Sequence, residues 1–349
     1  MKGKLILKDG TEFIGESVGA TNSIAGEVVF STGMMGYPES LTDPSYEGQI
    51  LILTYPLVGN YGVPEKELWE SGKIHVSGLI VSNYIDTPSH FQSKRSLADW
   101  FKSEQVPLLE IKDTRFLTQK IREKGVILGK IEFTSKTPFY NPDIDNLVEK
   151  VSTKKVYTLE GKGHKRKKTV MLIDCGAKRN IQHSLLARGV DVVTVPWDYN
   201  PYEGDQTFKF DAVVVSNGPG NPKLVNKTIS TIQNLLSKKV PLLGICLGHQ
   251  LLALAAGGDT KKLKYGHRSQ NQPCQLTGTK RCYITTQNHG FSVTKIPDGY
   301  KEWFVNANDL TNEGIMHDKL PFMSVQFHPE AIPGPTDTEW IFDNFLDKI

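Results

Sequence analysis

The 349 residues are 38% hydrophobic and carry a formal net charge of only +3, which is enough sequence for about two ordinary cores. No apolar run reaches the roughly 18 residues of a membrane span, residues 1–8 lack the continuous apolar core of a signal peptide, and the four cysteines, Cys175, Cys246, Cys274 and Cys282, have neither disulfide-framework density nor zinc-ligand spacing. The expectation is a cytoplasmic protein in which the sequon Asn226-Lys227-Thr228 goes unused.

Over the first domain's length, short strands at 4–7, 28–31, 50–54 and 74–81 are separated by glycine-rich and proline-containing turns, with helices over 97–103 and 114–124. This reads as a mixed, β-rich α/β domain over 1–152. Residues 154–168 are polar and basic, ending in Lys162-Gly163-His164-Lys165-Arg166-Lys167-Lys168. Such a run can meet nucleic acid or an acidic partner. The small net charge and the lack of interleaved aromatic residues favour a solvated linker, placed at 153–168.

From 169 to 349 the pattern changes. Strands at 170–174, 190–195 and 211–216 alternate with helices over 178–188 and 227–238, which implies an α/β domain with a mostly parallel sheet covered on both faces. The next strand, 240–243, runs into Gly244-Ile245-Cys246-Leu247-Gly248-His249-Gln250, and a helix over 251–256 stops at Gly257-Gly258. Glycines on both sides of Cys246 permit the sharp strand-to-helix turn that holds out the nucleophile in G-x-S-x-G hydrolases, here with a thiol. At a helix N-terminus the thiol would feel the positive end of the helix dipole, which favours thiolate. The bland alternative is a buried core cysteine.

A cysteine nucleophile needs a base. The strand expected at 322–327 ends in His328-Pro329-Glu330. On an extended backbone, residues two apart point the same way, so Glu330 would sit beside His328 and fix its tautomer. His249 and His289 are alternative bases, but neither has an acid two residues away.

With both motifs present, the chain resembles the class I, triad-type glutamine amidotransferases. The resemblance extends to Ser216-Asn217-Gly218-Pro219-Gly220-Asn221-Pro222, a turn whose backbone N–H groups are free of side chains and suit a developing oxyanion. It implies a catalytic triad of Cys246, His328 and Glu330, an oxyanion hole from the amides of Gly220 and Leu247, and hydrolysis of glutamine through a γ-glutamyl thioester. Ammonia released into neutral water is protonated and no longer nucleophilic, so the resemblance also implies a synthetase partner that consumes it.

The amino-terminal half is similar to one branch only. Residues 30–46, from Phe30-Ser31-Thr32-Gly33 to Asp43-Pro44-Ser45-Tyr46, then Leu53-Thr54-Tyr55-Pro56-Leu57-Val58-Gly59-Asn60-Tyr61-Gly62, Asp113-Thr114-Arg115 and Gly176-Ala177-Lys178-Arg179-Asn180-Ile181 resemble the carbamoyl-phosphate synthase small chain. This implies that glutamine is held by Ser45, Gly218, Gly220, Leu247, Gln250, Asn288, Gly290 and Phe291. Gln250, four residues after Cys246, falls on the same helix face, and an asparagine with a glycine amide supplies the donors and acceptors an amino acid requires. Standing alone, Asn288-His289-Gly290 would read as a plain turn. Two departures from the family wording are Gly266-His267-Arg268-Ser269-Gln270-Asn271-Gln272-Pro273, closer to the form in fused eukaryotic synthases than to that of many bacterial members, and Asp174-Cys175-Gly176, where Cys175 reads as a core residue.

No P-loop, nucleotide fingerprint or metal cluster is written in the chain. The implied function is therefore the glutaminase subunit of carbamoyl-phosphate synthase, with no cofactor of its own. ATP and Mg are expected in a large ATP-grasp subunit that receives the ammonia, in pyrimidine and arginine biosynthesis, and neither nucleic acid nor membrane is an expected partner. An amidotransferase serving another synthetase, such as one making anthranilate or GMP, and a non-catalytic scaffolding subunit are the alternatives.

Overall fold

The computed structural model describes residues 1–162, 168–203 and 208–349, and the chain divides into two compact units, Met1–Asp145 and Asn146–Ile349. The break falls at 145/146 instead of 152. Part of the expected linker at 153–168 is structured, because Tyr157–Leu159 forms a strand in the sheet of the second unit. Residues 163–167, most of the basic run, lie outside the described residues.

Seven strands of the first unit close into a barrel: β1 (Lys2–Leu7), β2 (Glu12–Ser17), β3 (Ile24–Ser31), β4 (Gln49–Leu53), β5 (Gly78–Val81), β6 (Leu108–Glu110) and β7 (Ile127–Glu132), in the order β1-β2-β6-β5-β4-β3-β7. Closure removes the unpaired edges that a flat sheet would expose. Successive side chains go to opposite faces, so Val28, Ile50, Ile52 and Ile80 join one apolar cluster while Val29, Leu51, Leu53, Leu79 and Val81 join another. Besides α1 (Tyr37–Leu41), the helices are α2 (Leu97–Ser103) and α3 (Thr114–Lys124), which occupy the expected spans because their ends are spelled out in side chains. Ser96 Oγ accepts from the Asp99 N–H at 3.1 Å, Asp113 Oδ1 accepts from the Phe116 N–H at 2.9 Å, and Gly125 follows the last turn of α3.

The second unit is built on a ten-stranded sheet of β8 (Tyr157–Leu159), β9 (Thr169–Asp174), β10 (Asp191–Pro196), β11 (Ala212–Val215), β12 (Leu242–Ile245), β13 (Asp259–Leu276), β14 (Cys282–Lys295), β15 (Tyr300–Asn306), β16 (Asn312–His317) and β17 (Phe322–Val325). Its helices are α4 (Val148–Val151), α5 (Arg179–Ala187), α6 (Asn226–Ser237), α7 (Leu247–Ala255) and α8 (Trp340–Leu346). Parallel pairing joins β10, β9, β11, β12 and β17 in that spatial order. Strand β8 adds to one side antiparallel, and β16, β15, β13 and β14 extend the other side antiparallel, so the parallel part is a five-stranded centre.

The centre is buried on both faces, which is why its strands are near-continuous apolar runs. Val170, Leu172, Val192, Val214, Leu243 and Ile245 pack with Ile181 and Leu185 of α5 and with Phe342 and Phe345 of α8. The intervening Met171, Ile173, Val193, Val195, Val213 and Val215 pack with Ile232 and Leu235 of α6 and with Leu251 and Leu252 of α7. Among the described residues, no helix is long and apolar enough to cross a membrane.

Candidate active site

Strand β12 ends at Ile245 and α7 begins at Leu247, so the single residue between them makes the whole turn. That residue is Cys246, with φ 53° and ψ −102°, a conformation that L-residues rarely adopt and that persists only where its surroundings fix it. They do so tightly. The Cys246 N–H bonds the Val325 carbonyl at 2.8 Å, and its own carbonyl accepts from the His249 N–H at 3.1 Å and the Gln250 N–H at 3.3 Å. Gly248 donates to the Ser216 carbonyl at 3.1 Å, and a Cβ on it would fall on the Val215 carbonyl oxygen. The second glycine of the motif is therefore required for close backbone approach. The side chain of Cys246 is buried and donates to the Asn288 carbonyl at 3.6 Å.

His328 follows the end of β17, on the strand parallel to β12. Its N–H bonds the Thr286 carbonyl of β14 at 2.9 Å. Its Nδ1 meets Glu330 Oε1 at 2.6 Å, as the sequence spacing implied, but by another route: residues 329 and 330 lie in a turn, closed by the Ala331 N–H on the His328 carbonyl, and not on extended backbone. Nε2, the nitrogen left for a reacting group, has no hydrogen-bond partner among the described residues.

Sequence reasoning missed a further member. Lys178, just before α5, is buried and donates through Nζ to Glu330 Oε1 at 3.1 Å and to the Ala331 carbonyl at 2.8 Å, while its N–H bonds Asn217 Oδ1 at 3.0 Å. Asn180 Nδ2 also donates to the Glu330 carbonyl. The signal was present in the Gly-Ala-Lys-Arg-Asn run, but sequence gives no sign that a lysine 152 residues upstream ends against Glu330. The electrostatics follow from this chain of charges. Burial alone would disfavour the imidazolium of His328, yet the Glu330 carboxylate and the adjoining Cys246 sulfur outweigh it and push His328 up to about 10. Burial would likewise raise Glu330, but Lys178 and His328 hold it down to about 2. The site is thus arranged to hold an imidazolium beside the sulfur.

The remaining expected residues of the second unit gather on the same elements. Leu247 is the first residue of α7, where the N–H has no intrahelical acceptor. Gly218 lies after β11, and a Cβ on it would strike the Cys175 carbonyl and the Leu247 side chain. Gly220 adopts φ +85° in the same turn. Asn288, Gly290 and Phe291 lie within β14 and not in a plain turn, and residues 267–269 of the Gly-His-Arg-Ser run pair with residues 287–289 along β13. Gln250 is buried, and its amide nitrogen donates to the Phe291 carbonyl at 2.9 Å and to Gln326 Oε1 at 3.0 Å, so it ties α7 to the β14 segment.

Ser45 belongs to the first unit, buried in the short turn Pro44–Tyr46, where its N–H bonds Asp43 Oδ1 at 2.9 Å. The two alternative bases are engaged elsewhere. His249 Nδ1 bonds Ser324 Oγ at 2.9 Å and burial pushes it down to about 3, and burial also keeps His289 neutral. Cys175 is a fully buried core residue whose thiol burial pushes strongly up.

Comparison with known proteins gives the same division. Residues 5–131 match the family described as the carbamoyl-phosphate synthase small chain, CPSase domain, and residues 171–348 match glutamine amidotransferase class-I. The carbamoyl phosphate synthase arginine-specific small chain of Saccharomyces cerevisiae is 47% identical, over 100% of this chain and 89% of that protein. The multifunctional protein pyr1-3 of Dictyostelium discoideum is 48% identical over 100% of this chain, and the multifunctional protein CAD of Squalus acanthias is 47% identical over 98% of it. The chain spans only 17% and 16% of the length of those two relatives. With the nucleophile elbow, its histidine and its acid in one buried site and both family matches in order, the chain belongs to the carbamoyl-phosphate synthase small-chain family, with a class I glutamine amidotransferase as its second unit.

Proposed function

We propose that this chain hydrolyses L-glutamine to glutamate and ammonia and passes the ammonia to a large ATP-grasp synthetase, which makes carbamoyl phosphate from bicarbonate and ATP. The observation that carries the reading is the strained Cys246 at the end of β12 beside an imidazolium held by Glu330. The Cys246 thiolate attacks the side-chain amide carbon, and the oxyanion that forms is met by the N–H groups of Leu247 and Gly220. The His328 imidazolium gives its proton to the amide nitrogen, the C–N bond breaks, and ammonia leaves a γ-glutamyl thioester on Cys246. Neutral His328 then takes a proton from water as the oxygen attacks the thioester. Glutamate departs, and the thiolate and imidazolium are restored.

Asn288, Gly290 and the helix face of Gln250 are proposed to hold the amino-acid end of the substrate, and Ser45 joins them on the family resemblance alone. ATP and Mg belong to the large partner, and the compartment fitting this role is the cytoplasm. The pathway served is pyrimidine or arginine synthesis.

The test is Cys246→Ser, which keeps size and turn but replaces a thiol with a hydroxyl that does not ionise. In the assembled synthase this variant is expected to lose at least about 10³-fold of glutamine-dependent carbamoyl phosphate synthesis, as removal of a nucleophile does. Synthesis from added ammonia should persist. Retained glutamine-dependent synthesis removes the nucleophile assignment, and loss of both nitrogen sources points to a structural defect.

A further inference from the structure

Behind the β14 segment lies a buried cluster that the proposed reaction does not use. His267 of β13, Gln287 and His289 of β14 and Glu313 of β16 are all buried, and one ligand-capable atom from each of His267, His289 and Glu313 lies within 4.8 Å of the others. Their outward-facing atoms are fixed. His267 Nε2 meets Asp309 Oδ2 at 2.9 Å, and Asp309 is itself held through Oδ1 by the Thr311 N–H and hydroxyl. His289 Nδ1 meets the Phe291 carbonyl at 2.8 Å. Gln287 Nε2 donates to Glu313 Oε2 at 3.0 Å, to Thr285 Oγ1 and to Cys274 Sγ, which fixes the direction of the amide.

The inward-facing atoms do not balance. Each histidine donates its outer N–H to a carboxylate or carbonyl, which leaves lone pairs on His267 Nδ1 and His289 Nε2. His289 Nε2 then faces Gln287 Oε1 at 3.1 Å, acceptor to acceptor. His267 Nδ1 lies 3.4 Å from Glu313 Oε1, within ion-pair distance, and makes no hydrogen bond among the described residues. Four acceptor atoms therefore border one pocket, and although Glu313 Oε1 also accepts from Asn306 Nδ2 at 3.2 Å, none of the four donates to another. Lone pairs that face one another in a buried pocket call for positive charge.

Two protons would supply it only by making imidazoliums of two rings whose centroids are 4.9 Å apart. One divalent ion among the converging atoms of His267, His289 and Glu313, with Gln287 Oε1 3.1 Å from His289 Nε2 beside them, would be balanced by the carboxylates of Glu313 and Asp309. The outer contacts match those that orient metal-bound imidazoles, one to a carboxylate and one to a backbone carbonyl.

We propose that His267 Nδ1, His289 Nε2, Glu313 Oε1 and Gln287 Oε1 form a closed binding site for a divalent transition ion of the zinc type, which ties β13, β14 and β16 together behind residues 288–291. Two imidazoles with two oxygens suit such an ion better than magnesium or calcium. Sequence spacing does not reveal the site because its ligands come from three strands.

The test uses the full chain carrying Cys246→Ser, so that the active-site sulfur cannot bind metal, and its readout does not depend on glutamine hydrolysis. The protein is loaded with Zn²⁺, dialysed against metal-free buffer, and assayed for metal content and by X-ray absorption. One zinc per chain is expected, with a first shell of nitrogen and oxygen at about 2.0–2.2 Å that includes imidazole. His267→Gln and Glu313→Gln, added singly, should each reduce retention at least tenfold. No retained zinc, a sulfur shell at about 2.3 Å, or retention undiminished from the parent chain in both variants overturns the proposal. Because the absorption spectrum is taken on the protein with the cluster intact, a variant that fails to fold leaves it decisive.

Discussion

The parallel centre of the second unit and its antiparallel wing are parts of one sheet built on opposite principles. Strands β9, β11 and β12 are almost wholly apolar, and their positions are set by packing between α5 and α8 on one face and α6 and α7 on the other. The wing buries His267, Ser269, Thr285, Gln287, Asn288, His289, Asn306, Asn312 and Glu313, and its register is held by directed side-chain bonds, as where Asn306 Nδ2 and Gln287 Nε2 both donate to Glu313. A close-packed apolar centre resists small displacements and so can hold one residue, Cys246, in an unfavourable conformation at a strand end. The wing contributes polar backbone and amide groups that suit an amino-acid substrate. Under the proposed function, chemistry sits on the rigid part and recognition on the polar part. The two meet where the Thr286 carbonyl accepts from His328 and the Asn288 carbonyl accepts from Cys246.

The sharpest way to break this division is at the base. His328→Asn is expected to lower glutamine hydrolysis by about 10³-fold, the scale of general acid–base catalysis, and to lower folding stability through loss of its buried pair with Glu330. Glu330→Gln should slow hydrolysis less, since Glu330 orients and stabilises the imidazole without moving a proton itself. The buried Lys178 adds a second effect. With the Glu330 carboxylate replaced by a neutral amide, the buried Lys178 ammonium loses its counter-charge, and breaking a buried pair costs about 3 kcal/mol. Turnover at low temperature and urea midpoints for both variants separate the effects. An unmoved midpoint in Glu330→Gln would remove the ion pair from the account, and equal loss of turnover would give Glu330 a direct chemical role.

A second test strikes the packing that holds the nucleophile. Gly248→Ala places a methyl on the Val215 carbonyl, a backbone atom that cannot step aside without moving β11. A loss of about 3 kcal/mol is expected, at the upper end for overpacking, together with loss of glutamine hydrolysis. The urea midpoint reads it directly. A midpoint within error of the wild type would show that the elbow yields, and the claim of a rigid centre would fail.

The centre was legible in the sequence for the same reason that it is rigid. Apolar strands and capped helices write local patterns, so the strands at 170–174 and 211–216 and the helices over 97–103 and 114–124 agree with the observed elements to within a residue or so. The Cys246 turn and the His328–Glu330 contact were legible because His328 and Glu330 are two residues apart and Cys246 stands in a motif of glycines. What escaped depends on distant partners. Strand β2 carries Glu12, Gly15 and Glu16 and is a strand only because β1 and β6 pair with it. The wing strand β14 reads as a plain turn at Asn288-His289-Gly290, and β13 is not read as a strand, because polar residues fill their buried positions. Lys178 reads as an exposed cation until the fold brings Glu330 to it.

The pH dependence offers a smaller probe of the triad's charges. Glu330 is held at about 2 in the folded chain, against about 4.3 in an unfolded one. Its contribution to stability is therefore present above about pH 4.3 and lost as pH falls through about 2. His328 is raised to about 10, against about 6.5 unfolded, so its contribution is full below about pH 6.5 and lost as pH rises through about 10. Both are complete only between about pH 4.3 and 6.5. The gap in melting temperature between the wild type and Glu330→Gln should be widest in that window and should narrow steadily on the alkaline side. A gap that grows with rising pH would mean that the imidazolium is not the stabilised form.

The smallest expected effect asks whether glycines differ between the two regions for any reason beyond available space. Gly278, in the turn between β13 and β14, has φ +78°, and Gly257, after α7, has φ +95°, yet a Cβ on either would find nothing within 4 Å. Both should respond to backbone conformation alone. Alanine at either position should cost about 1 kcal/mol, the strain of a left-handed L-residue, and asparagine should cost less because its side chain tolerates that region. Urea midpoints with unchanged m-values are the measurement. Equal penalties at Gly278 and Gly257, both well below that of Gly248→Ala, would locate the intolerance of the centre in its closed backbone contacts. A larger penalty at Gly257 than at Gly278 would mean that strain in the rigid centre spreads beyond the residues that touch, and asparagine as costly as alanine would rule out backbone conformation as the cause.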